Sequence, residues 1–313
     1  MRVGILGTDD DPQVQAVARE IRALGAEDVL IREDALDEEL PFSELDGRTI
    51  YGGIDIENLE GLYLRSVPAA YAPYVEKDGE LVLYEDWFAT YMQERERAAF
   101  FLAWLLKLQE RGTRLINPPH AASVLQYKPF QLHALRSIGA RVPRTLISND
   151  PDAVKAFHSE VKDVIYKPIT GGAITRVLDR ETLDNLDHLR ASPVIFQERI
   201  EGDDLRVMLA GDQIVSSVAI RTPKQHLDFR ADPVYSGGDA RYEEVTLPEE
   251  VQAMCRRAAR KCGLVFAGID IKRAPSGEWV FLELNSSPIY LDVELKLGHQ
   301  ISRAIAELVV GRK

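Results

Sequence analysis

The chain has 313 residues, of which 45% are apolar and 28% charged, and its formal net charge is −12 at pH 7. This length predicts two or three packed units, and the apolar fraction excludes a disordered chain. The negative charge argues against nucleic acid or an anionic membrane as the main partner, but it is compatible with a local basic pocket for phosphate. The longest apolar run, Ala98–Leu106, is too short to span a membrane, and the first residues do not form a signal peptide. With Cys255 and Cys262 expected as reduced thiols, these features predict a cytoplasmic protein, with a homo-oligomer left open.

The first part of the chain predicts alternating strands and helices. Val3–Leu6 and Asp28–Ile31 are apolar strands, and between them a helix is capped by Asp9–Asp11, begins at Pro12 and ends at Gly25. This order predicts an α/β domain with a parallel sheet. The elements expected after it are strand Gly61–Arg65, helix Trp87–Gln109 and strand Arg114–Asn117, with a domain boundary at the pair Pro118-Pro119.

From Ala121 onward the predicted strands outnumber the helices, which indicates an α+β domain over 120–313. A turn at Gly211-Asp212 between alternating apolar residues predicts a first hairpin over 205–221. The segment 267–285 predicts a second hairpin. The other expected elements are helix Ser123–Ile138, the extended segment Pro143–Ile147, helix Pro151–Phe157, strands Asp163–Lys167 and Val194–Ile200, and helices Pro248–Cys262 and Gly298–Val309.

The second hairpin has a polar side inside an otherwise apolar sequence. A four-residue turn, Ala274–Gly277, predicts a register in which Asp270 lies opposite Phe281. Side chains alternate across a sheet, so Asp270, Phe281, Glu283 and Asn285 are expected on one face, with Asp270 and Glu283 about 7–8 Å apart as diagonal neighbours. Ile269, Ile271, Leu282 and Leu284 are expected on the other. Two carboxylates and an amide oxygen suit one or two hard cations such as Mg²⁺, although a solvated polar face is the alternative.

Two lysines are candidates for phosphate binding. Lys167 ends an apolar strand in VIYKPITGG, and the backbone N–H groups of the following turn at Gly171 and Gly172 can cradle phosphate. Lys128 lies near the start of a helix in LQYKPFQLHAL. Taken singly, each lysine is equally compatible with an ordinary solvated side chain.

The segment VIFQERIEGDD leads from a buried strand into an acidic turn. Backbone groups at Glu198–Ile200 are candidates for reading an adenine edge, and Asp203 or Asp204 for accepting ribose hydroxyls. Arg206 and Arg221 lie on the two strands of the first hairpin. They are candidates for clamping phosphate or a carboxylate, with ordinary cross-strand pairing as the alternative.

Taken in order, these segments resemble the ATP-grasp superfamily, specifically its RimK-like carboxylate–amine ligase branch. The likeness covers about 117–310. The motifs that carry it are YKPFQLHALRSIGARVPRTLI, VIYKP, FQERIEG, the D-L-R hairpin that ends in arginine, FRADPVYSGG, GIDI and ELNSSP. The resemblance implies an ATP-grasp fold with an N-terminal Rossmann-like pre-ATP-grasp domain (1–119), a small lid subdomain (120–196) and a C-terminal antiparallel-sheet subdomain that binds metal (197–313).

The resemblance also implies roles for the candidate residues. Arg206, Arg221 and Arg230 would face phosphate and the acyl substrate as catalytic residues. Asp270, Glu283 and Asn285 would bind Mg²⁺, with two metal ions expected and Mn²⁺ as an alternative. The residues assigned to ATP are Lys128, Lys167, Gly171, Gly172, Gln197, Glu198, Ile200 and either Asp203 or Asp204. Arg65 is a further candidate for substrate contact.

The implied chemistry is ADP-forming ligation. A carboxylate of an amino acid, peptide or protein attacks the γ-phosphate of ATP, and an amine or hydroxyl nucleophile then attacks the acyl phosphate. A second likeness, in the segments 117–154 and 297–309, is to the graspetide synthetases, which cross-link side chains of a ribosomal peptide. The strand end NSSP is of the glutamate-ligase type, but Ile289 stands where that type has Gly. We therefore expect an amino-acid or peptide ligase, with a graspetide-type macrocyclase as one alternative and a non-catalytic ATP-binding protein as another.

Overall fold

The computed structural model describes residues 1–32, 40–67, 74–77, 80–83, 85–124, 126–170, 174–221 and 240–312. The chain divides into two compact units, Met1–Pro119 with Ile305–Lys313, and His120–Ala304. The further division of 120–313 into a lid and a metal-binding subdomain stays a prediction. Within the described ranges, no helix combines the length and apolar character that a membrane span requires.

The first unit contains a parallel sheet, as the sequence predicts. Its elements are β1 (Arg2–Leu6), α1 (Pro12–Ala23), β2 (Glu27–Ile31), β3 (Phe42–Leu45), β4 (Arg48–Tyr51), β5 (Ile54–Asp55), β6 (Gly61–Leu64), β7 (Tyr74–Lys77), β8 (Glu80–Leu83), α2 (Trp87–Glu110) and β9 (Arg114–Ile116). The parallel strands lie in the order β2-β1-β6-β9. Two small antiparallel sheets, β3-β4-β5 and β7-β8, were not expected.

Local signals in the sequence explain the helices of this unit. The Asp11 carboxylate accepts a hydrogen bond of 2.7 Å from the Gln13 backbone N–H, which caps α1 in front of Pro12. Gly25 follows the helix with φ of 78°, a conformation that favours glycine. In α2, apolar side chains recur at helical spacing and pack into one core cluster with the parallel sheet. The buried members on α2 are Phe101, Trp104, Leu105 and Leu108.

The rest of the chain forms two antiparallel sheets, in the orders β10-β13-β11-β12 and β16-β15-β14-β17-β18. The elements in chain order are α3 (Pro119–Val124), α4 (Lys128–Ser137), β10 (Thr145–Ser148), α5 (Pro151–Val161), β11 (Val164–Lys167), β12 (Arg176–Val177), α6 (Arg180–Asp184), a 3₁₀ helix (Leu186–Ala191), β13 (Val194–Glu198), β14 (Asp203–Ala210), β15 (Gln213–Arg221), β16 (Arg241–Glu244), α7 (Glu249–Lys261), β17 (Phe266–Arg273), β18 (Trp279–Asn285), α8 (Leu291–Leu297) and α9 (Ile301–Val310).

One predicted helix, Ser123–Ile138, is wrong in its extent. The structure has two helices here, and the second begins at Lys128 with Pro129 in its first turn. Proline lacks an N–H and disfavours helical backbone in the residue before it, so it starts a helix more readily than it continues one. Lys128 therefore stands at a helix N-terminus.

The five-stranded sheet has one apolar face. Helices α4 and α7 contribute Leu132, Leu135 and Cys255, among others, to a core cluster with that face. The strands β14 and β17 contribute residues such as Val207 and Ile269 to the same cluster. The opposite face is consequently left for polar side chains, and it carries the candidate site.

The hairpin β17-β18 differs from its predicted register. Arg273 pairs with Trp279, so the loop has five residues, 274–278, and Ile271 pairs with Phe281. A β-bulge at Leu282 then restores the alternation, and Asp270 pairs directly with Glu283 instead of lying diagonal to it.

The longer loop exchanges the expected faces of two residues, because Phe281 pairs with Ile271 before the bulge is reached. Phe281 is buried in the core cluster and Leu282 lines a cavity on the other face, the reverse of the prediction. The expected common face of Asp270, Glu283 and Asn285 is confirmed, because Asp270 pairs with Glu283 and Asn285 is two residues further along β18.

Candidate functional site

A cavity of about 490 Å³ lies in the second unit, lined by residues of both antiparallel sheets. From the four-stranded sheet, Lys167 at the end of β11 and Gln197 and Glu198 at the end of β13 reach it. From the five-stranded sheet it receives the polar side chains of β14, β17 and β18. The predicted site residues among its lining are Lys167, Gln197, Glu198, Ile200, Asp203, Asp204, Arg206, Arg221, Asp270, Glu283 and Asn285.

On the polar face of the five-stranded sheet, each of three carboxylates has a cationic partner. Arg206 binds Asp270 through two hydrogen bonds, Nε to Oδ1 at 2.9 Å and Nη2 to Oδ2 at 3.1 Å. The Lys128 ammonium lies 2.8 Å from Glu283 Oε2. The Lys272 ammonium lies 2.9 Å from Asp204. Two of the pairs follow from strand register, because Arg206 is opposite Asp270 and Asp204 is opposite Lys272, whereas Lys128 reaches Glu283 from the first residue of α4.

The predicted metal ligands are brought together by this register. Asn285 Nδ2 donates to Asp270 Oδ2 at 3.2 Å, and Glu283 is the strand partner of Asp270. No cluster of three or more His, Cys, Asp or Glu side chains suited to a metal occurs in the described part of the chain. Two carboxylates and one amide oxygen instead fit Mg²⁺, which binds few protein ligands and completes its shell with water and phosphate oxygens. Their assignment as ligands stays a prediction.

The two candidate ribose residues lie on opposite faces of β14. Asp204 shares the polar face with Arg206, two residues away, whereas Asp203 points to the other side. Asp203 is bound there by Arg221 at 2.5 Å and by Arg273 at 2.5 Å. These hydrogen bonds hold the pKa of Asp203 below its usual range, and the one from Arg273 lowers it more than the one from Arg221.

Arg221 is thus placed differently from Arg206. It sits at the end of β15, where it also binds Glu243 at 2.8 Å, so cross-strand pairing accounts for both of its contacts. These two carboxylates raise the pKa of the Arg221 guanidinium above its usual value. A direct role for Arg221 on substrate stays a prediction, and its position at the cavity lining is compatible with one.

The side of the cavity predicted for adenine is held in place by hydrogen bonds. Glu198 accepts from Arg141 Nη2 at 3.0 Å and from the Arg144 backbone N–H at 3.1 Å. Burial alone would raise the pKa of Glu198, but these two donors outweigh it and hold the pKa below its usual range. The Glu198 N–H donates to the Arg144 carbonyl, so it is already used within the sheet. Gln197 is buried and donates to Thr145.

Three predicted residues, Gly171, Gly172 and Arg230, lie outside the described residues. Two residues at this site were missed by sequence reasoning. Lys272 belongs to the GIDIK segment, and its period-2 spacing from Asp270 was a usable signal. Gln131, one turn after Lys128 on α4, accepts a hydrogen bond of 3.1 Å from the Leu284 backbone N–H, and nothing in the sequence pattern marks it.

Similarity to known proteins is consistent with this geometry. Residues 126–309 match the RimK-like ATP-grasp domain family. A probable alpha-L-glutamate ligase of Teredinibacter turnerae is 29% identical over 250 residues, which are 76% of this chain and 80% of the relative. The probable alpha-L-glutamate ligase of Xanthomonas euvesicatoria pv. vesicatoria is 30% identical over 216 residues, 66% of this chain and 71% of the relative.

Solved structures match over the whole chain. The ATP-grasp ligase PsnB complexed with a minimal precursor is 35% identical, with a TM-score of 0.85 over 99% of each chain. PsnB complexed with a phosphomimetic precursor variant, Mg and ADP is 36% identical, with a TM-score of 0.86 over 99% of this chain and 98% of PsnB. The macrocyclase MdnC of Microcystis aeruginosa shares the fold at 22% identity and a TM-score of 0.80 over 99% of each chain. The chain belongs to the RimK-like ATP-grasp family and is an ATP-dependent ligase.

Proposed function

We propose that the substrate of this ligase is a ribosomally made precursor peptide whose side chains it cross-links, as in the graspetide synthetases. The observation that carries the proposal is the full-length similarity to PsnB, a ligase solved with its precursor. That similarity covers 99% of this chain at 35% identity, against 76% at 29% for a probable glutamate ligase. The agreement therefore includes the first unit as well as the ATP-grasp domain. This full-length similarity favours a macrocyclase, whereas the strand end NSSP alone favours an amino-acid ligase.

The proposed reaction has two steps. A side-chain carboxylate of the peptide attacks the γ-phosphorus of ATP, and the bond from that phosphorus to the bridging oxygen breaks to release ADP. A hydroxyl or amine of the same peptide then attacks the acyl carbon, phosphate leaves, and the nucleophile loses its proton. An ester or amide cross-link results, with the net loss of one water from the peptide.

The residues at the cavity fit the demands of phosphoryl transfer, which needs positioning and charge neutralisation more than a strong base. Lys167, which lines the cavity, and Lys128, which is paired with the lining residue Glu283, would bind phosphate oxygens, and Arg206 would keep Asp270 oriented. Asp204 would accept the ribose hydroxyls, because it and not Asp203 lies on the polar face. The hinge at Gln197, Glu198 and Ile200 would border adenine.

Asp270, Glu283 and Asn285 would hold Mg²⁺. Two ions are proposed, with Mn²⁺ as an alternative, and PsnB has been solved with Mg and ADP. When bound, the metal would neutralise the charge on the phosphates. The ion pairs of the polar face then have a second role in this chain. Arg206 and Lys128 keep the carboxylates of Asp270 and Glu283 paired when no cation is present, which limits the cost of a buried negative charge.

The test is to incubate the protein with Mg-ATP and a synthetic peptide copied from any short reading frame beside its gene that is rich in Thr or Lys and in Asp or Glu. The expected result is ADP release together with a peptide product lighter by one water for each cross-link, read by mass spectrometry. Free glutamate with an amine-bearing peptide is the parallel reaction. Addition of glutamate to that peptide, with no dehydration of the first one, would instead favour the glutamate-ligase function.

A third reaction contains hydroxylamine, which traps acyl phosphate as a hydroxamate. We expect a hydroxamate on the peptide carboxylate, at the expense of the cross-link. ADP binding without ADP formation in any of the three reactions would contradict both ligase functions and favour an ATP-binding protein that does not ligate.

A further inference from the structure

At the edge of the five-stranded sheet, next to the candidate metal site, backbone N–H groups of β18 donate to partners outside the sheet. Among the described strands, the sheet order β16-β15-β14-β17-β18 leaves β18 at the edge, so its outward N–H groups have no partner strand there. Two of them find partners on other segments. The Phe281 N–H donates to the Arg141 carbonyl at 2.8 Å, and the Leu284 N–H donates to Gln131 Oε1 at 3.1 Å.

The second of these bonds involves a buried amide side chain. Gln131 is only 2% exposed, and it sits on α4 among residues that pack in the core, such as Leu132 and Leu135. A buried side-chain amide with a backbone donor is a directional contact, and removing the acceptor leaves the donor unsatisfied. The bond therefore fixes α4 to one particular peptide group of β18.

That peptide group joins Glu283, one proposed ligand, to Leu284. Leu284 lies between Glu283 and Asn285 on β18, and Gln131 lies one helical turn after Lys128 on α4. The contact from Gln131 to Leu284 and the ion pair from Lys128 to Glu283 at 2.8 Å therefore join the same two elements side by side.

The ion pair between Lys128 and Glu283 and the hydrogen bond between Gln131 and Leu284 differ in whether they can persist when nucleotide and metal are bound. If Lys128 turns to phosphate and Glu283 to a cation, their direct ion pair is no longer available to hold α4 against β18. Gln131 and the Leu284 N–H do not face the cavity, so their bond is compatible with a filled site.

We propose that Gln131 is a positioning residue. It sets the place of Lys128 relative to Glu283 and Asn285 through the Leu284 amide, and it couples phosphate binding to metal binding. The proposal rests on the function proposed above for these three residues. Gln131 touches no substrate in this scheme, so its effect is expected on the Mg²⁺ dependence of nucleotide binding and not on nucleotide binding itself.

The experiment measures the Kd of ADP by calorimetry with and without Mg²⁺, and the coupling is the ratio of the two values. Gln131→Leu keeps the size of the side chain and removes the acceptor. We expect it to reduce the coupling by about 10- to 100-fold, the effect that removing an outer-shell partner typically has. The Kd of ADP alone should change little. Gln131→Glu retains an acceptor oxygen at the same distance and is expected to restore most of the coupling.

Gln252→Leu is the matched control. Gln252 on α7 donates from Nε2 to the Leu247 carbonyl at 2.9 Å and accepts from Arg256 Nη2 at 3.1 Å. This variant therefore makes the same chemical change and loses two side-chain hydrogen bonds away from the cavity. It should lower the melting temperature without changing the coupling. If Gln131→Leu behaves in the same way, Gln131 is only structural and the proposal is wrong. If Gln131→Leu does not fold, Gln131→Asn replaces it, because the shorter side chain moves the acceptor away by one methylene. Its coupling is measured as the same ratio of ADP Kd values.

Glu283→Gln, measured in parallel, distinguishes an error in the metal assignment from an error in the role of Gln131. Loss of coupling in Glu283→Gln with normal coupling in Gln131→Leu would leave the metal site standing and overturn the role of Gln131. Normal coupling in Glu283→Gln would overturn the metal assignment, and with it the proposal.

Discussion

The parallel sheet of the first unit and the five-stranded sheet of the second differ in what their faces carry. In the parallel sheet, every residue of β6 and most of β1 is buried, and the strands read as continuous apolar runs. In the five-stranded sheet, β14, β17 and β18 alternate, with apolar residues against α4 and α7 and charged residues on the other face. A sheet that is buried on both faces works as a scaffold. A sheet with one polar face can present ligands at fixed spacing, which is how the pairs Arg206–Asp270 and Asp204–Lys272 come to line one cavity.

The prediction with the largest expected effect tests whether the polar face of the five-stranded sheet is the site of ATP-dependent turnover. Glu283→Gln removes one charge from the proposed metal site and keeps the side-chain volume. We expect ATP-dependent turnover to fall by at least about 1,000-fold, with the circular dichroism spectrum close to that of the unchanged protein. Near-normal turnover would mean that the polar face is not the metal site.

The second prediction compares a buried ion pair of the polar face with an exposed pair in the first unit. Arg206 and Asp270 are each 8% exposed, so Arg206→Met leaves a buried carboxylate without its guanidinium. We expect the free energy of unfolding of the second unit to fall by about 3 kcal/mol in urea titrations. Arg2→Met is the control, because the side chains of Arg2 and Glu27 are 41% and 62% exposed and the loss of their ion pair should cost less than about 1 kcal/mol. Equal costs would remove the distinction between the two regions.

The third prediction compares the two faces of β14 itself. Asp204→Asn should weaken ADP binding by about 10-fold, since a ribose hydroxyl would lose a charged acceptor. Asp203→Asn should change ADP binding less, because Asp203 is bound by Arg221 and Arg273 on the other face. Calorimetric titration of both variants with ADP measures the difference. The reverse order would assign the ribose to Asp203.

The smallest effect is a pH dependence. The pKa of Asp203 is lower in the folded chain than in the unfolded chain, so its contribution to stability is present above the unfolded value of about 3.9. It is lost as the pH falls through the lower, folded value. The difference in unfolding free energy between the unchanged protein and Asp203→Asn should therefore shrink when urea titrations are moved from about pH 7 to about pH 3. A difference in unfolding free energy that grows toward low pH would contradict the lowered pKa of Asp203.

Much of the fold could be predicted from local sequence signals. The cap at Asp11, the stop at Gly25 and the turn at Gly211-Asp212 each depend on the backbone preferences of one or two residues, and the elements they bound are confirmed. The break in front of α4 was missed, although Pro129 signals it. The small sheets β3-β4-β5 and β7-β8 were missed because their strands have two to four residues, too few for a period to be visible.

The site was predictable where it depends on alternation along one strand and less so where it depends on contacts between elements. The common face of Glu283 and Asn285 follows from period-2 spacing on β18. Asp270 joins that face although the predicted register was wrong, because the extra loop residue and the bulge compensate for each other in the alternation. The bond between Gln131 and the Leu284 N–H joins residues 153 positions apart. Whether Asp203 or Asp204 lies on the polar face of β14 depends on which face α4 and α7 cover, which is tertiary information.

The bulge at Leu282 has a consequence for comparing this protein with its relatives. The five-residue loop 274–278 is one residue longer than the four-residue turn expected from the sequence, and the bulge adds a second residue before Asp270 meets Glu283. A relative with a four-residue loop and no bulge would place the same two carboxylates on the same face with two residues fewer between them. An alignment through this hairpin therefore needs one gap at the loop and a second gap at Leu282. A single one-residue gap at the loop would pair Leu282 with the carboxylate that corresponds to Glu283 and shift every ligand after it by one position.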